Sequence, residues 1–567
     1  MVHKKTGRLH LYWAANVDIH RGVWPQAKIL AVLALTSVFS FCFYTIISMS
    51  AFAHEGQAPA QATAHLATQT FWPDSSGLPA FDALRLLLLA SPDASRALPP
   101  VWETSPPLGG LGVGGCEGQT SLRLDLSGAI IGTSGWLPGQ FPPDPLEYRP
   151  WLDKESRLRW RQKTGITVTL PGGWTLAEWV LIDSDRALDP TNRAKEYRQL
   201  DATVDVPLAF VRYEKGAFRF QLGRGWRRWR PGWTGSLILD DHHPPADGFE
   251  ACYTAGRWSA RYSFDRLDNW YPAPPALPES PAEPELSRYL AAHRVDIQPH
   301  DRLRLGISET AVVAADGTPP FWALNPLLPF ALMQQERDPV EEVANVLWAL
   351  DAVWNPGPEW ALYGQFLLDD YMLDSEDRDT YPDQLGWLAG VLWQNGAGKS
   401  EGYAVPGYGL GAGLEYSRLS TWTYVHRDRP GRYRAWDATL GHPAGPDSET
   451  LSGFCEWRER HSGRRWLLLG SWHRHGRVDI NTPETSTGHV DEPFPSRPTV
   501  TRWQLAAIAT MPGPLGSELE WRLGWSEASA QGASQDLPAV SEADLDSRTY
   551  ASLTVRVPLW TWQTMGF

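Results

Sequence analysis

The feature that most constrains this chain is a period of two, repeated along most of its length. Trp258, Ala260, Tyr262 and Phe264 alternate with Arg257, Ser259, Arg261, Ser263 and Asp265. Leu519, Trp521, Leu523 and Trp525 alternate with Glu518, Glu520, Arg522 and Gly524. Val204, Val206, Leu208 and Phe210 do so with Thr203, Asp205 and Pro207, and Leu303, Leu305 and Ile307 with Arg302, Arg304, Gly306 and Ser308. Successive strand residues point to opposite faces, so each run is a strand with one apolar face and one charged face. About 18 such segments lie between Thr120 and Phe567, separated by turns rich in Gly, Pro and Asp, a number within the range of membrane barrels.

A soluble sandwich also alternates, but it buries the apolar face. A membrane barrel turns that face to lipid and the charged face to a wet lumen. Tryptophan at strand ends, drawn from 30 in the chain, suits the aromatic girdles of the second case. The expected fold is therefore all-β: a transmembrane antiparallel barrel over residues 116–567. The last strand, "ASLTVRVPLWTWQTMGF", keeps Ala551, Leu553, Val555, Val557 and Leu559 on one face and ends on Phe567. It resembles the terminal signal of outer-membrane barrels, and implies the barrel assembly machinery as a partner. Trp562 and Phe567 are expected to serve assembly.

The N-terminal region reads differently. Lys4, Lys5, Arg8 and Arg21 precede an apolar run from Ile29, which closes on Ala51-Phe52-Ala53. Basic flank, apolar core and small-residue exit predict a signal peptide over 1–53. Residues 54–115 read as a polar and helical periplasmic segment. Its apolar cluster of Phe81, Leu84 and Leu86 to Leu89 is bounded by Pro79 and Pro92. Such a helix could also plug the barrel. Past the signal there is no second long apolar run, so a helical membrane bundle is not expected. Cys116, Cys252 and Cys455 follow the signal, an odd number that allows at most one internal disulfide and leaves its pairing open.

One stretch stands apart. "LGRGWRRWRPGWTGSLILDDHHPP" sets Arg224, Arg227, Arg228 and Arg230 among Trp226, Trp229 and Trp233. The chain as a whole carries a net charge of -14, so this is a local basic site in an acidic protein, and nucleic acid is not an expected partner. The period of two places Phe218, Phe220 and Leu222 outward, then a loop at a membrane interface or barrel mouth, then a new strand at "SLILDD". Arginine's planar fork binds carboxylate, sulfate or phosphate and stacks on indole. Two readings follow. Arg224, Trp226, Arg228, Trp229, Arg230 and Trp233 form a site for anionic polysaccharide or lipopolysaccharide. Alternatively the arginines join an ion-pair network in the lumen with Asp240, Glu309, Asp369 and Asp370.

Four segments occur in order: R-x-x-x-R-W-x-P-G at Arg224–Gly232, G-I-S-E at Gly306–Glu309, L-N-P-L at Leu324–Leu327, and L-Y-G-Q-F-L-L-D-D at Leu362–Asp370. Together they resemble the capsule assembly protein Wzi family of outer-membrane barrels, over roughly Trp151 to the C-terminus. The resemblance implies a non-enzymatic barrel at the cell surface, acting in capsule or exopolysaccharide attachment, with surface polysaccharide and outer-membrane lipid as partners. The proline-rich loops, for example "YPAPPALPESPAEPE", depart from it. A solute channel is the first alternative and an outer-membrane hydrolase the second.

No G-x-S-x-G elbow, phosphate loop or Cys-pair zinc pattern is present, so no catalytic residue and no cofactor is expected. Asp240, Asp241, His242 and His243 have ligand chemistry, but adjacent strand residues cannot converge unless the chain turns. His473 and His475 share a face without an evident acidic partner. No metal site is expected at either place.

Overall fold

The computed structural model describes residues 121–135, 157–184, 195–197, 202–229, 231–271, 285–331, 342–357, 359–370, 383–394, 408–436, 438–459, 462–483, 493–514, 517–531 and 548–565. The expected signal peptide and periplasmic helix lie outside them, as do Cys116, Arg230 and Phe567 and the side chain of Asp370.

The strands are β1 (Ser121–Gly135), β2 (Arg157–Leu170), β3 (Trp174–Asp183), β4 (Lys195–Tyr197), β5 (Ala202–Lys215), β6 (Phe218–Gly225) and β7 (Ala246–Ala255). They continue with β8 (Trp258–Trp270), β9 (Leu286–His300), β10 (Leu303–Ala315), β11 (Glu342–Gly357), β12 (Trp360–Asp370), β13 (Gln384–Gln394) and β14 (Tyr408–Leu419). The last are β15 (Arg434–Ala435), β16 (Ala438–Thr439), β17 (Ser448–Glu459), β18 (Arg465–His475), β19 (Thr499–Pro512), β20 (Glu518–Gln531) and β21 (Arg548–Met565). Apart from the small β15–β16 pair, they form one sheet of 19 strands. The three-residue β4 flanks only β5; the other eighteen run antiparallel to their neighbours. The sheet closes where β1 pairs with β21, from Ser121↔Met565 to Gly135↔Tyr550. Closure leaves no open edge, which is what a lipid environment demands.

The alternation read from the sequence sorts most of the wall into two faces; β5 is a correction, since Leu208 and Phe210 are buried with Ala177 on the inner side, and Val211, opposite exposed Leu222, is the outward residue. Outward positions are solvent-exposed and apolar: Leu222, Val295, Ile297, Leu305, Ile307, Leu350, Leu414, Leu468, Leu505 and Leu523. Inward positions are buried and often charged: Arg261, Asp265, Arg294, Asp296, Asp351, Gln365, Glu415 and Glu456. An exposed apolar band of this extent is stable only against lipid. Exposed Trp174, Trp258, Trp354, Trp360, Trp457, Trp466 and Trp521 ring the end where most connections are tight turns, and Trp387 and Trp503 stand near the opposite end. These are the two interfacial girdles. Apart from the connection after β13, which is the one long connection at the other end, long connections gather at one end, after β1, β3, β6, β8, β10, β12, β14, β18 and β20. In bacterial barrels that end is extracellular. The chain is an outer-membrane β-barrel.

Candidate functional site: a lumen filled by its own loops

The connection after β6 does not lie at the mouth. It folds into the lumen, with Trp229 at 1% and Trp233 at 2% exposure, and Leu237, Ile238 and Leu239 fully buried. The expected strand at "SLILDD" is irregular backbone. Five large apolar side chains within eleven residues would be unfavourable on a wet surface. Here they pack on inward-facing Leu347, Val353, Leu367, Leu388 and Phe454 of the wall, and Trp233 meets Phe454 edge-on at 5.1 Å.

Polar wall residues fix this insert. Glu415 on β14 accepts the backbone N–H groups of Trp233 (2.8 Å) and Thr234 (3.0 Å), the Tyr363 phenol (2.6 Å) and the Thr234 hydroxyl. Gln365 on β12 accepts the Leu237 N–H at 2.6 Å. The insert also folds on itself, as Ser236 donates to the Trp229 carbonyl (3.0 Å) and Asp240 accepts the Ser236 N–H (3.2 Å).

A second connection, between β14 and β17, lies over the first. Tyr424 donates to the Leu237 carbonyl at 2.5 Å, Tyr433 donates to that of Ile238, and the Asp240 N–H donates to the Leu440 carbonyl at 2.9 Å. The wall holds this layer too. Arg288 on β9 donates to the carbonyls of Pro430 (2.7 Å), Arg432 (2.6 Å) and Arg434 (2.9 Å), and pairs with Asp268 at 2.8 Å. Asp268 accepts the Trp436 N–H at 3.0 Å. The connection between β18 and β19 joins through Asp447, which accepts from Val478 N–H (3.2 Å) and Ser496 N–H (2.9 Å), and through Arg432, which donates to the carbonyls of Asn481 (2.7 Å) and Thr482 (2.8 Å).

The sequence-predicted site residues do not form one surface cluster. Arg224 sits at the rim in an exposed bidentate pair with Asp247, at 2.8 and 2.6 Å. Trp226 donates to the His243 carbonyl at 2.7 Å. Arg228 is buried beside Asp241 (2.9 Å) and Asp240 (3.9 Å), and Arg227 pairs with Asp265 at 2.8 Å. Arg261 of the wall lies over the Trp229 ring at 5.8 Å. Asp369 faces the lumen and accepts the Tyr424 N–H at 2.5 Å, where an arginine was expected. Glu309 is a correction. It lies on the outward face of β10, opposite His293, because it shares parity with exposed Leu305 and Ile307.

His243 is buried in the insert, and desolvation, with His242 next to it, pushes its imidazole down to about 4. It is therefore neutral, with Nδ1 set 2.7 Å from the Pro244 carbonyl. His473 and His475 stack at 6.0 Å. Among the described residues no group of three or more His, Cys, Asp or Glu is placed to hold a metal ion. Cys252 and Cys455 are free thiols.

Above the plug, the outer rim carries a polar and aromatic patch. Asn269 donates to Glu285 at 2.6 Å and lies 3.5 Å from the hydroxyl of exposed Tyr271. Arg434 donates to Asn481. The bonds from Arg288 and Asp268 to residues 430–436 bring this part of the plug against the β8–β9 rim. Sequence reading missed Glu415, Gln365, Arg288 and Asp268 as plug anchors. The signal for Glu415, Gln365 and Arg288 was parity, since all three fall on the inward face of their strands; Asp268 shares the outward parity of Trp258 and Tyr262 and is turned inward by the register irregularity between Arg266 and Asn269.

The site thus defines a class: a closed outer-membrane barrel whose lumen is occupied by its own extracellular connections. No protein-family model matches the chain, and no curated protein matches it. Among solved structures it is similar to Wzi, an outer-membrane protein involved in group 1 capsule assembly in Escherichia coli and described as a carbohydrate-binding β-barrel. That likeness has a TM-score of 0.47 at 15% identity, over 76% of this chain and 84% of that one. It is similar also to OccD3 (OpdP) of Pseudomonas aeruginosa, with a TM-score of 0.40 at 11% identity over 80% of this chain and 93% of that one. A third similar structure is OccAB4 of Acinetobacter baumannii, with a TM-score of 0.39 at 10% identity over 79% of this chain and 99% of that one. At such identities these are likenesses of architecture, and the barrel stands on this chain's own closure.

Proposed function

We propose that the protein is a non-enzymatic anchor that holds capsular or exopolysaccharide on the outer rim of the barrel, with the plug as its platform. The observation that carries this reading is the plug itself. Wall residues on β8, β9, β12 and β14 bind it directly, which supports a fixed surface over a conduit. The ligand class is drawn from the resemblance of the four ordered segments to the Wzi family. The rim patch supplies matching chemistry: a phenol ring to stack on a sugar face, and amides, a carboxylate and a guanidinium for its hydroxyls or acidic groups. In this reading Arg227, Arg228, Trp229 and Trp233 hold the platform from within, and Arg224, Tyr271, Asn269, Arg434 and Asn481 face the glycan. Residues 1–53 serve as the export signal and 54–115 as the periplasmic segment.

The test is retention of polysaccharide by cells that carry the protein as their sole copy. Tyr271→Ala combined with Arg434→Ala is expected to release polysaccharide into the medium while the folded barrel remains in the outer membrane. Wild-type retention by that variant would overturn the rim assignment. Release that is caused only by loss of folded protein would also overturn it.

A further inference from the structure

The connection after β10 takes a different course from the plug connections after β6, β14 and β18. Residues 316–331 fold back over the outside of the wall. Trp322, Ala323 and Phe330 are buried against Tyr262, Phe264, Tyr289, Ala291, Ala311, Val313 and Val346, all of which have outward parity. Two outward tyrosines hold this strap by its carbonyls: Tyr262 donates to Ala323 at 2.5 Å and Tyr289 to Gly317 at 2.6 Å. Beneath it lies Glu309, 1% exposed on the lipid-facing side of β10. An uncovered carboxylate there would be costly. Glu309 is instead satisfied by the Phe330 N–H (3.0 Å), the Ala331 N–H (2.9 Å) and His293 Nε2 (2.5 Å), and the Phe330 ring stacks on His293 at 4.5 Å.

The strap's own chemistry is that of a segment meant for hydrocarbon. Between Thr318 and Ala331 there is no Asp, Glu, Lys or Arg. Pro319, Pro320, Pro326 and Pro329 carry no N–H at all. The N–H groups of Ala323, Asn325, Leu327 and Leu328 find acceptors within the strap, and those of Phe330 and Ala331 on Glu309. Irregular backbone at membrane depth is tolerated where it is packed on protein, and the inner side of the strap is packed on the wall through Trp322, Ala323 and Phe330. Yet Phe321 is 89% and Leu327 88% exposed, far more than wall residues such as Leu305 at 39%. They project from a surface that continues directly into the exposed band of Val295, Ile297, Leu305 and Ile307.

We propose that the strap is embedded in the outer leaflet, with Phe321 and Leu327 inserted among lipid acyl chains, and that the Glu309–His293 pair is the latch that seats it. The site is independent of the polysaccharide reading.

The test uses the full chain with its four cysteines replaced by serine and reconstituted in lipid vesicles. A nitroxide is attached at Phe321→Cys, Leu327→Cys, Leu305→Cys as a lipid-facing standard, or Asp301→Cys as an aqueous standard in the β9–β10 turn. Collision with dissolved oxygen and with a water-soluble nickel chelate is then measured. The two strap labels are expected to follow Leu305→Cys, favouring oxygen. Nickel accessibility equal to that at Asp301→Cys would overturn the proposal. So would spin–spin broadening that depends on protein-to-lipid ratio, which would mean that a second copy covers the strap. Glu309→Gln in the Phe321→Cys background is expected to raise nickel collision, because a neutral amide oxygen holds the two N–H groups less firmly. If Glu309→Gln folds and leaves the label buried, the latch is refuted.

Discussion

Arg288→Met tests how much of the plug is held by a single wall residue. Arg288 is 1% exposed, and its guanidinium spans a carboxylate and three plug carbonyls at 2.6 to 2.9 Å. Methionine keeps much of the volume and none of the donors. Asp268 would be left buried without its cation, retaining the Trp436 N–H alone. Breaking one side of a buried pair costs about 3–5 kcal/mol, and the retained N–H puts the expected loss near the low end, about 3 kcal/mol. The exposed pair of Arg257 in the β7–β8 turn and Asp301 in the β9–β10 turn, at 2.7 Å, is the control. Arg257→Ala should cost about 0–1 kcal/mol, since exposed pairs are screened by water and salt. Stability is read by urea unfolding in lipid vesicles, and amide exchange over 430–440 reports the plug separately from the wall. Arg288→Met should lower stability and speed exchange in 430–440 while wall strands stay protected. Asp268→Asn on top of it should restore part of the loss. An Arg288→Met cost no larger than that of Arg257→Ala would refute the reasoning.

Acidification should loosen the insert. The folded imidazole of His243 titrates at about 4 against 6.5 unfolded, so its contribution is complete above pH 6.5 and is lost as pH falls toward 4. Amide exchange over 226–245, corrected for intrinsic chemistry, should rise between pH 7 and 4, and His243→Gln should flatten that rise; equal slopes would count against it. Gly306→Ala would drive a Cβ into the Arg294 guanidinium, already clamped by Asp296 at 2.7 Å and Asp351 at 2.6 Å. A loss of about 1–3 kcal/mol in urea unfolding is expected, as for other overpacked interiors, and a neutral result would mean that Arg294 can move. Leu523→Arg, on the lipid face, should cost roughly 2–4 kcal/mol near the membrane midplane, visible as a smaller folded fraction on unheated gels; unchanged folding would place Leu523 away from lipid.

The wall was legible because two solvents imprint two faces on each strand, and the strand number followed from counting alternating runs. The same parity already placed Glu309 with Leu305 and Ile307; reading it as a lumen charge followed from residue type instead of position. The plug was not legible from local pattern. Trp229, Trp233 and Leu237 to Leu239 look like any aromatic loop until Leu388, Leu347 and Phe454, far away in sequence, supply the surface that buries them. The anchors were equally hidden, because Glu415 and Gln365 bind backbone N–H groups, a partnership that carries no residue signature.

The central claim is that the lumen is closed by its own connections. Single-protein recording in planar bilayers tests it directly. The wild-type protein is predicted to show no steady conductance. Replacing residues 229–240 with a short Gly-Ser link is predicted to open a steady one, since it removes Trp229, Trp233 and Leu237 to Leu239 from the middle of the barrel. A steady large conductance through the wild-type protein would contradict the account.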